Sequence, residues 1–68
     1  MKINIEKLNI AQANKCLTNK ELCESAEIGM LTLLGIKNGS RKSPNLKTIG
    51  KLAQALNVDV ADLLENEN

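Results

Sequence analysis

Apolar residues along this chain recur at spacings of three and four, which is the period of one face of an α-helix. The clearest stripe has apolar residues at i, i+3, i+4 and i+7, namely Ile49, Leu52, Ala53 and Leu56. A weaker stripe near the start of the chain consists of Ile5, Leu8 and Ala11. No segment alternates apolar and polar residues for long enough to indicate a strand. The pattern therefore predicts an all-α fold.

Capping residues indicate where the first two helices begin. Asn4 is placed to cap a helix that runs to about Lys15. Thr18 and Glu21 have the spacing of a capping box, in which each side chain binds the other residue's backbone N–H. We therefore expect the second helix to begin at residue 19.

Three further helices follow in the same way. A third helix is predicted over about 30–37, ending in a left-handed cap at Asn38-Gly39. Asn45 is placed to cap a fourth helix, and Asp59, with Asp62 three positions later, to cap a fifth. The 68 residues are then one five-helix domain, residues 1–68, with a core over about 4–65.

Composition excludes several classes of function. The chain has no Phe, Tyr, Trp or His, so bases cannot stack on aromatic rings and imidazole cannot act as an acid, base or metal ligand. No nucleophile–base pair, carboxylate dyad or phosphate-binding glycine loop is visible. We therefore expect no enzyme, no catalytic residue, no metal and no cofactor. Cys16 and Cys23 fit small apolar filler in a reducing cytoplasm, with a disulfide or redox role as the alternative.

Charge is unevenly distributed although the net charge is only +1. Residues 37–51 contain five basic residues and no acidic one, whereas residues 52–68 contain four acidic residues and no basic one. Such a distribution predicts one electropositive side, unless these charges form only a solvated loop and helix face. The longest charge-free stretch, 28–36, is far too short to cross a bilayer.

The second and third helices, joined by a three-residue turn, have the length of a helix-turn-helix. In and around them the chain contains four motifs, Leu17-Thr18-x-x-Glu21-Leu22-Cys23-x-x-Ala26-x-Ile28, Thr32-Leu33-x-x-Ile36-Lys37-Asn38-Gly39, Pro44-Asn45-Leu46-x-Thr48-Ile49 and Leu52-Ala53-x-Ala55-Leu56-x-Val58. With these motifs the chain resembles the Cro/cI (Xre-type) family of phage-repressor DNA-binding domains over about 8–64.

The resemblance implies a cytoplasmic, usually dimeric, lambda-repressor-like regulator of transcription that binds double-stranded DNA. Its second helix would lie across the phosphates and its third helix, about 30–37, would enter the major groove. The residues that would then face the bases are Met30, Leu31, Leu34 and Gly35. Those that would contact phosphates are Thr18, Asn19, Gly29, Thr32, Ser40, Arg41 and Lys42.

The sequence departs from the family pattern in three ways. The groove-facing side of the third helix is apolar where family members often carry polar readers, so Met30, Leu31 and Leu34 could instead form the surface of a protein-interaction or antitoxin-like module. The turn has Glu27 where the family usually has glycine, which predicts either a strained left-handed backbone or a tilted third helix. Gln12 and Lys37 replace a pair that is often Arg and Glu.

Overall fold

A computed structural model of the chain describes residues 2–41 and 43–65. Its elements are α1 (Ile5–Asn14), α2 (Asn19–Ala26), α3 (Met30–Lys37), α4 (Leu46–Leu56) and a 3₁₀ helix (Val60–Leu63). Within these residues there is no strand, so the all-α prediction is confirmed. No helix in this part of the chain has both the length and the apolar character that crossing a membrane requires.

The predicted caps are present. The side chain of Asn4 accepts a hydrogen bond from the Lys7 N–H at 3.1 Å, and that of Asn45 accepts one from the Thr48 N–H at 2.8 Å. Each bond satisfies one of the N–H groups that the first turn of a helix leaves without a partner. These local bonds are why α1 and α4 begin where the sequence places them.

The prediction of a fifth α-helix is wrong, since the segment after Asp59 forms only one turn of 3₁₀ helix. Its capping box is present, but the chain leaves the helical conformation at Leu64, where φ is −98° and ψ is 153°. Leu64 then pairs antiparallel with Ile3, and the Glu65 N–H donates to the Lys2 carbonyl at 2.9 Å. This pairing ends the helix after a single turn.

The core is built from apolar side chains of all four helices and the 3₁₀ helix. The largest of them, each less than 2% exposed, are Leu8, Leu22, Leu33, Ile36, Ile49, Leu52, Leu56 and Leu63. Burying one such side chain contributes roughly 1.5–3 kcal/mol relative to leaving it in water. Because α2 packs on both α3 and α4, this core holds α2 and α3 in a fixed relation to each other.

Candidate nucleic-acid interface

The link between α2 and α3 is a three-residue turn with a left-handed first residue. Glu27 has φ 58° and ψ 45°, and the N–H of Ile28 donates to the Cys23 carbonyl at 3.1 Å. Gly29 then adopts an extended conformation and precedes the first residue of α3. Of the two conformations that the sequence left open for Glu27, the left-handed one is therefore observed.

One side of α3 faces away from the core. Leu31 is 83% exposed, Leu34 41% and Met30 38%, whereas Leu33 and Ile36 on the other side are almost fully buried. The predicted outward orientation of Met30, Leu31 and Leu34 is thus observed, and Leu33 and Ile36 of the same helix belong to the core. An apolar side chain as exposed as Leu31 gains little from the fold, and such surfaces commonly mark a binding site.

Gly35 departs from this division, because it is buried although it was expected to face outward with Leu31 and Leu34. The side chain of Arg41 lies over it. A Cβ built on Gly35 would stand only 3.2 Å from Cγ and 3.1 Å from Cδ of Arg41. The Arg41 side chain therefore covers this turn of α3. The expectation that Gly35 itself faces the bases of the major groove is corrected.

The loop after α3 is folded back onto the helix by hydrogen bonds. Gly39 takes φ 86°, a conformation that glycine adopts without steric cost. The Ser40 N–H donates to Oδ1 of Asn38 at 2.9 Å, and the Ser40 hydroxyl donates to the Gly35 carbonyl at 3.3 Å. The Arg41 N–H donates to the same carbonyl at 2.9 Å. Lys42, the other predicted phosphate contact of this loop, lies outside the described residues.

The first turn of α2 offers backbone N–H groups, although that of Thr18 is already bonded within the protein. Thr18 and Glu21 form a complete capping box, so the Thr18 N–H is donated to the Glu21 carboxylate at 2.9 Å. This bond lowers the pKa of Glu21. In an α-helix the N–H groups of the first residues have no partner within the helix, which leaves those of Asn19 and Lys20 for an anion.

The other two predicted phosphate contacts lie at the start of α3. Gly29 is exposed and Thr32 is half-buried. The Thr32 hydroxyl oxygen would lie 3.9 Å from a Cβ on Gly29, so the two residues are neighbours. They sit one turn apart at the same helix N-terminus, where the helix dipole favours an anion.

A hydrogen-bond network joins the end of α3 to α1 and to the start of α2. The Lys37 ammonium donates to the side-chain oxygens of Asn9 and Gln12, and the Gln12 amide nitrogen donates to the Leu17 carbonyl at 2.9 Å. The same amide nitrogen donates to Oδ1 of Asn19 at 3.0 Å. Burial of the ammonium lowers the pKa of Lys37, although the nearby Cys23 thiol opposes the shift. The unusual Gln12 and Lys37 thus contact each other directly.

Two basic residues of the segment 37–51 contact the helix-turn-helix at different places. Lys51 on α4 directs its ammonium to the Glu27 carbonyl at 3.4 Å, in the turn between α2 and α3. Arg41 reaches the opposite end of α3 through Gly35. The sequence analysis predicted neither the contact of Lys51 with Glu27 nor that of Arg41 with Gly35. The second could have been suspected from the glycine among the outward-facing residues of α3, because a glycine leaves room for another side chain.

Comparison with protein families gives a match to a model described as a Cro/C1-type HTH DNA-binding domain, over residues 7–68. This range includes all of α2, α3 and α4 and the loop that carries Arg41. A comparison with curated proteins gives no match.

Proposed function

This chain belongs to the family of Cro/C1-type helix-turn-helix DNA-binding domains, and from that premise we propose that it is a cytoplasmic transcriptional regulator that inserts α3 into the major groove of double-stranded DNA. The observation that carries the proposal is the outward face of α3, which is exposed, rigidly backed by the core and flanked by cationic side chains. An α-helix of this width fits the major groove of B-DNA.

Phosphates would be bound on either side of α3. The N–H groups at the start of α2, the Asn19 amide, and Gly29 with Thr32 would meet one stretch of backbone. Ser40 and Lys42 would meet another beyond the end of α3. Such contacts fix the register of the protein on the duplex, and the cationic ones make its affinity depend on salt.

The bases would be contacted by apolar side chains. Leu31 and Leu34, together with Met30, present methyl groups that complement the C5-methyl of thymine. Apolar contact distinguishes base pairs less sharply than paired hydrogen bonds do, so this face alone predicts a preference for thymine-containing sites rather than a single strict sequence.

A homodimer on two half-sites is part of the proposal. The eight residues of α3 extend over about 12 Å, which corresponds to roughly four base pairs. A single domain therefore reads too few positions to select one site among many. A dimer doubles the number of positions read and places its two α3 helices in successive major grooves. The 3₁₀ helix with Leu64 is the candidate dimer surface, because the other exposed apolar surface, the Met30/Leu34 face, contacts DNA in this proposal.

Selection of bound duplexes from a random library, at two salt concentrations, tests the proposal. We expect a motif with two half-sites, and affinity that falls with salt with a slope of about −0.9 per phosphate neutralised. Asn19→Ala should weaken binding to all duplexes equally, whereas Leu31→Ala should change the selected sequence. Ile10→Ala is the matched control, because Ile10 is 60% exposed on α1, outside the helix-turn-helix. Failure to recover any duplex in dilute buffer would refute the proposal.

The exposure of Leu31 and Leu34 also favours a second candidate, a protein-interaction or antitoxin-like module that uses the same face. This candidate predicts self-association or capture of a partner that Leu34→Lys abolishes, and no affinity for duplexes even at low salt. Light scattering on the wild type and the Leu34→Lys variant, together with the duplex titration, separates the two candidates.

A further inference from the structure

Arg41 is held on the outward face of α3 rather than beside it. Gly35 follows Leu31 by four residues and Leu34 follows it by three, so Leu31 lies between the other two on the outward side of the helix. Because Gly35 has no Cβ, the methylene groups of Arg41 occupy the place where a side chain from α3 would otherwise stand. Arg41 is nevertheless exposed, so the end of its side chain is available to a ligand on that face.

Hydrogen bonds of the loop after α3 hold Arg41 in this position. The carbonyl of Gly35 accepts hydrogen bonds from the Arg41 N–H at 2.9 Å and the Ser40 hydroxyl at 3.3 Å. The left-handed Gly39 and the bond from the Ser40 N–H to Asn38 turn the chain back toward α3. An arginine anchored at its backbone and along its stem loses less freedom on binding than one at the end of a mobile loop.

The chemistry of the face shows what such an arginine would contribute. Met30, Leu31 and Leu34 carry no N–H or O–H donor. The guanidinium has five N–H donors in a planar fork, which matches the O6 and N7 acceptors of guanine in the major groove. A phosphate contact needs only the charge, whereas a guanine contact needs the fork and its position.

We propose that Arg41 is a specificity-determining residue that contacts one guanine per half-site, and that Gly35 positions it by leaving room for its methylene groups. This inference rests on the proposed function and replaces the expectation that Arg41 only contacts a phosphate. The half-site would then combine one G·C pair under Arg41 with thymine methyls under the leucines.

Substitutions of the arginine separate the two roles. Selection from a random duplex library, followed by affinity titrations on the selected duplex and on the same duplex with the guanine replaced by adenine, gives the discrimination ratio. We expect the wild type to prefer the guanine duplex by roughly 5- to 150-fold, as for a bidentate base contact. Arg41→Lys keeps the charge, so it should preserve the salt slope, but because lysine lacks the planar fork it should lower this ratio.

Substitutions of Gly35 test its positioning role while Arg41 itself is unchanged. Gly35→Ala and Gly35→Leu place progressively more atoms where the arginine stem lies, so the discrimination ratio should fall in that order. Gly50→Ala and Gly50→Leu are matched controls, because nothing lies within 4 Å of a Cβ at Gly50 in α4. They should leave the ratio unchanged. Circular dichroism of each variant verifies that the fold is retained.

Two results would overturn the inference while leaving the proposed function intact. One is a wild-type motif with no guanine in either half-site. The other is a guanine preference that stays at its wild-type value in Arg41→Lys or in the Gly35 series, which would make Arg41 a phosphate contact. If the wild type binds no duplex at any salt concentration, the proposed function itself fails and this inference fails with it.

Discussion

Replacing Glu27 with glycine should stabilise the fold, because Glu27 holds a backbone conformation that suits glycine. Its φ of 58° and ψ of 45° place it in the left-handed region at the end of α2. There the Cβ of an L-residue approaches the following carbonyl oxygen, at a cost of about 1–2 kcal/mol. The Glu27 carbonyl, which Lys51 contacts, is a backbone group and is therefore retained in the variant.

Two opposing terms set the expected magnitude. Glycine gains more conformational freedom in the unfolded chain than glutamate does, which offsets roughly 0.4–1 kcal/mol of the relief. Removing a negative charge from the end of α2 adds a few tenths of a kcal/mol, because that end carries the negative pole of the helix dipole. The net gain should be about 0.5–1 kcal/mol. For a domain of this size it corresponds to a rise in Tm of roughly 2–8 °C.

Urea and thermal unfolding, followed by circular dichroism, measure this gain. Glu27→Gln is the control for the charge, since it keeps the Cβ and therefore the strain. Asn57→Gly is the control for the conformation, because Asn57 has nearly the same backbone angles but asparagine tolerates them better. The reasoning is refuted if Glu27→Gly is no more stable than Glu27→Gln.

Four further outcomes are expected. Thr18→Ala should cost about 1 kcal/mol in urea unfolding through the lost cap. The hydrogen bond from the Thr18 N–H lowers the pKa of Glu21 in the folded state. The stability that this bond contributes is therefore present above the pKa of an unfolded glutamate and is lost as pH falls through the folded pKa. Glu21→Gln should make the free energy of unfolding, measured in urea, depend less on pH in that acid range. Leu52→Ala should cost about 2–5 kcal/mol, since Leu52 is fully buried, and a thermal scan showing less than 1 kcal/mol would contradict its place in the core. Burial raises the pKa of the Cys23 thiol, so iodoacetamide at about pH 8 should label the exposed Cys16 first, as mass spectrometry would show.

The helix starts could be predicted because their determinants are local. Thr18 and Glu21 exchange two hydrogen bonds across three positions, and the Lys7 N–H donates one to Asn4 across the same spacing. Each cap and its partner are therefore visible in one short segment. The extent of α3, Met30–Lys37, followed from its apolar spacing and from the glycine that ends it. The family resemblance depended on the same local signals and is confirmed by the match over residues 7–68.

What could not be predicted depends on segments that are distant in sequence or on the course of a loop. The 3₁₀ helix is short because Leu64 pairs with Ile3 at the opposite end of the chain, and no local pattern encodes that pairing. Gly35 was expected at the surface because the helical wheel alone puts it there. Its burial results from the path of the loop, which brings Arg41 back over the helix.

The network at Lys37 explains how the site keeps its shape without the ion pair that the family often uses. Lys37 binds neutral amides of Asn9 and Gln12, and Gln12 in turn binds Asn19 at the start of α2. Hydrogen bonds to neutral amides at a partly buried site are screened by salt much less than attraction between exposed opposite charges. We therefore expect the orientation of α2 against α3 to change little as salt is added. A loss of duplex affinity with salt can then be assigned to phosphate contacts rather than to loosening of the helix-turn-helix, which makes the salt slope a direct count of those contacts.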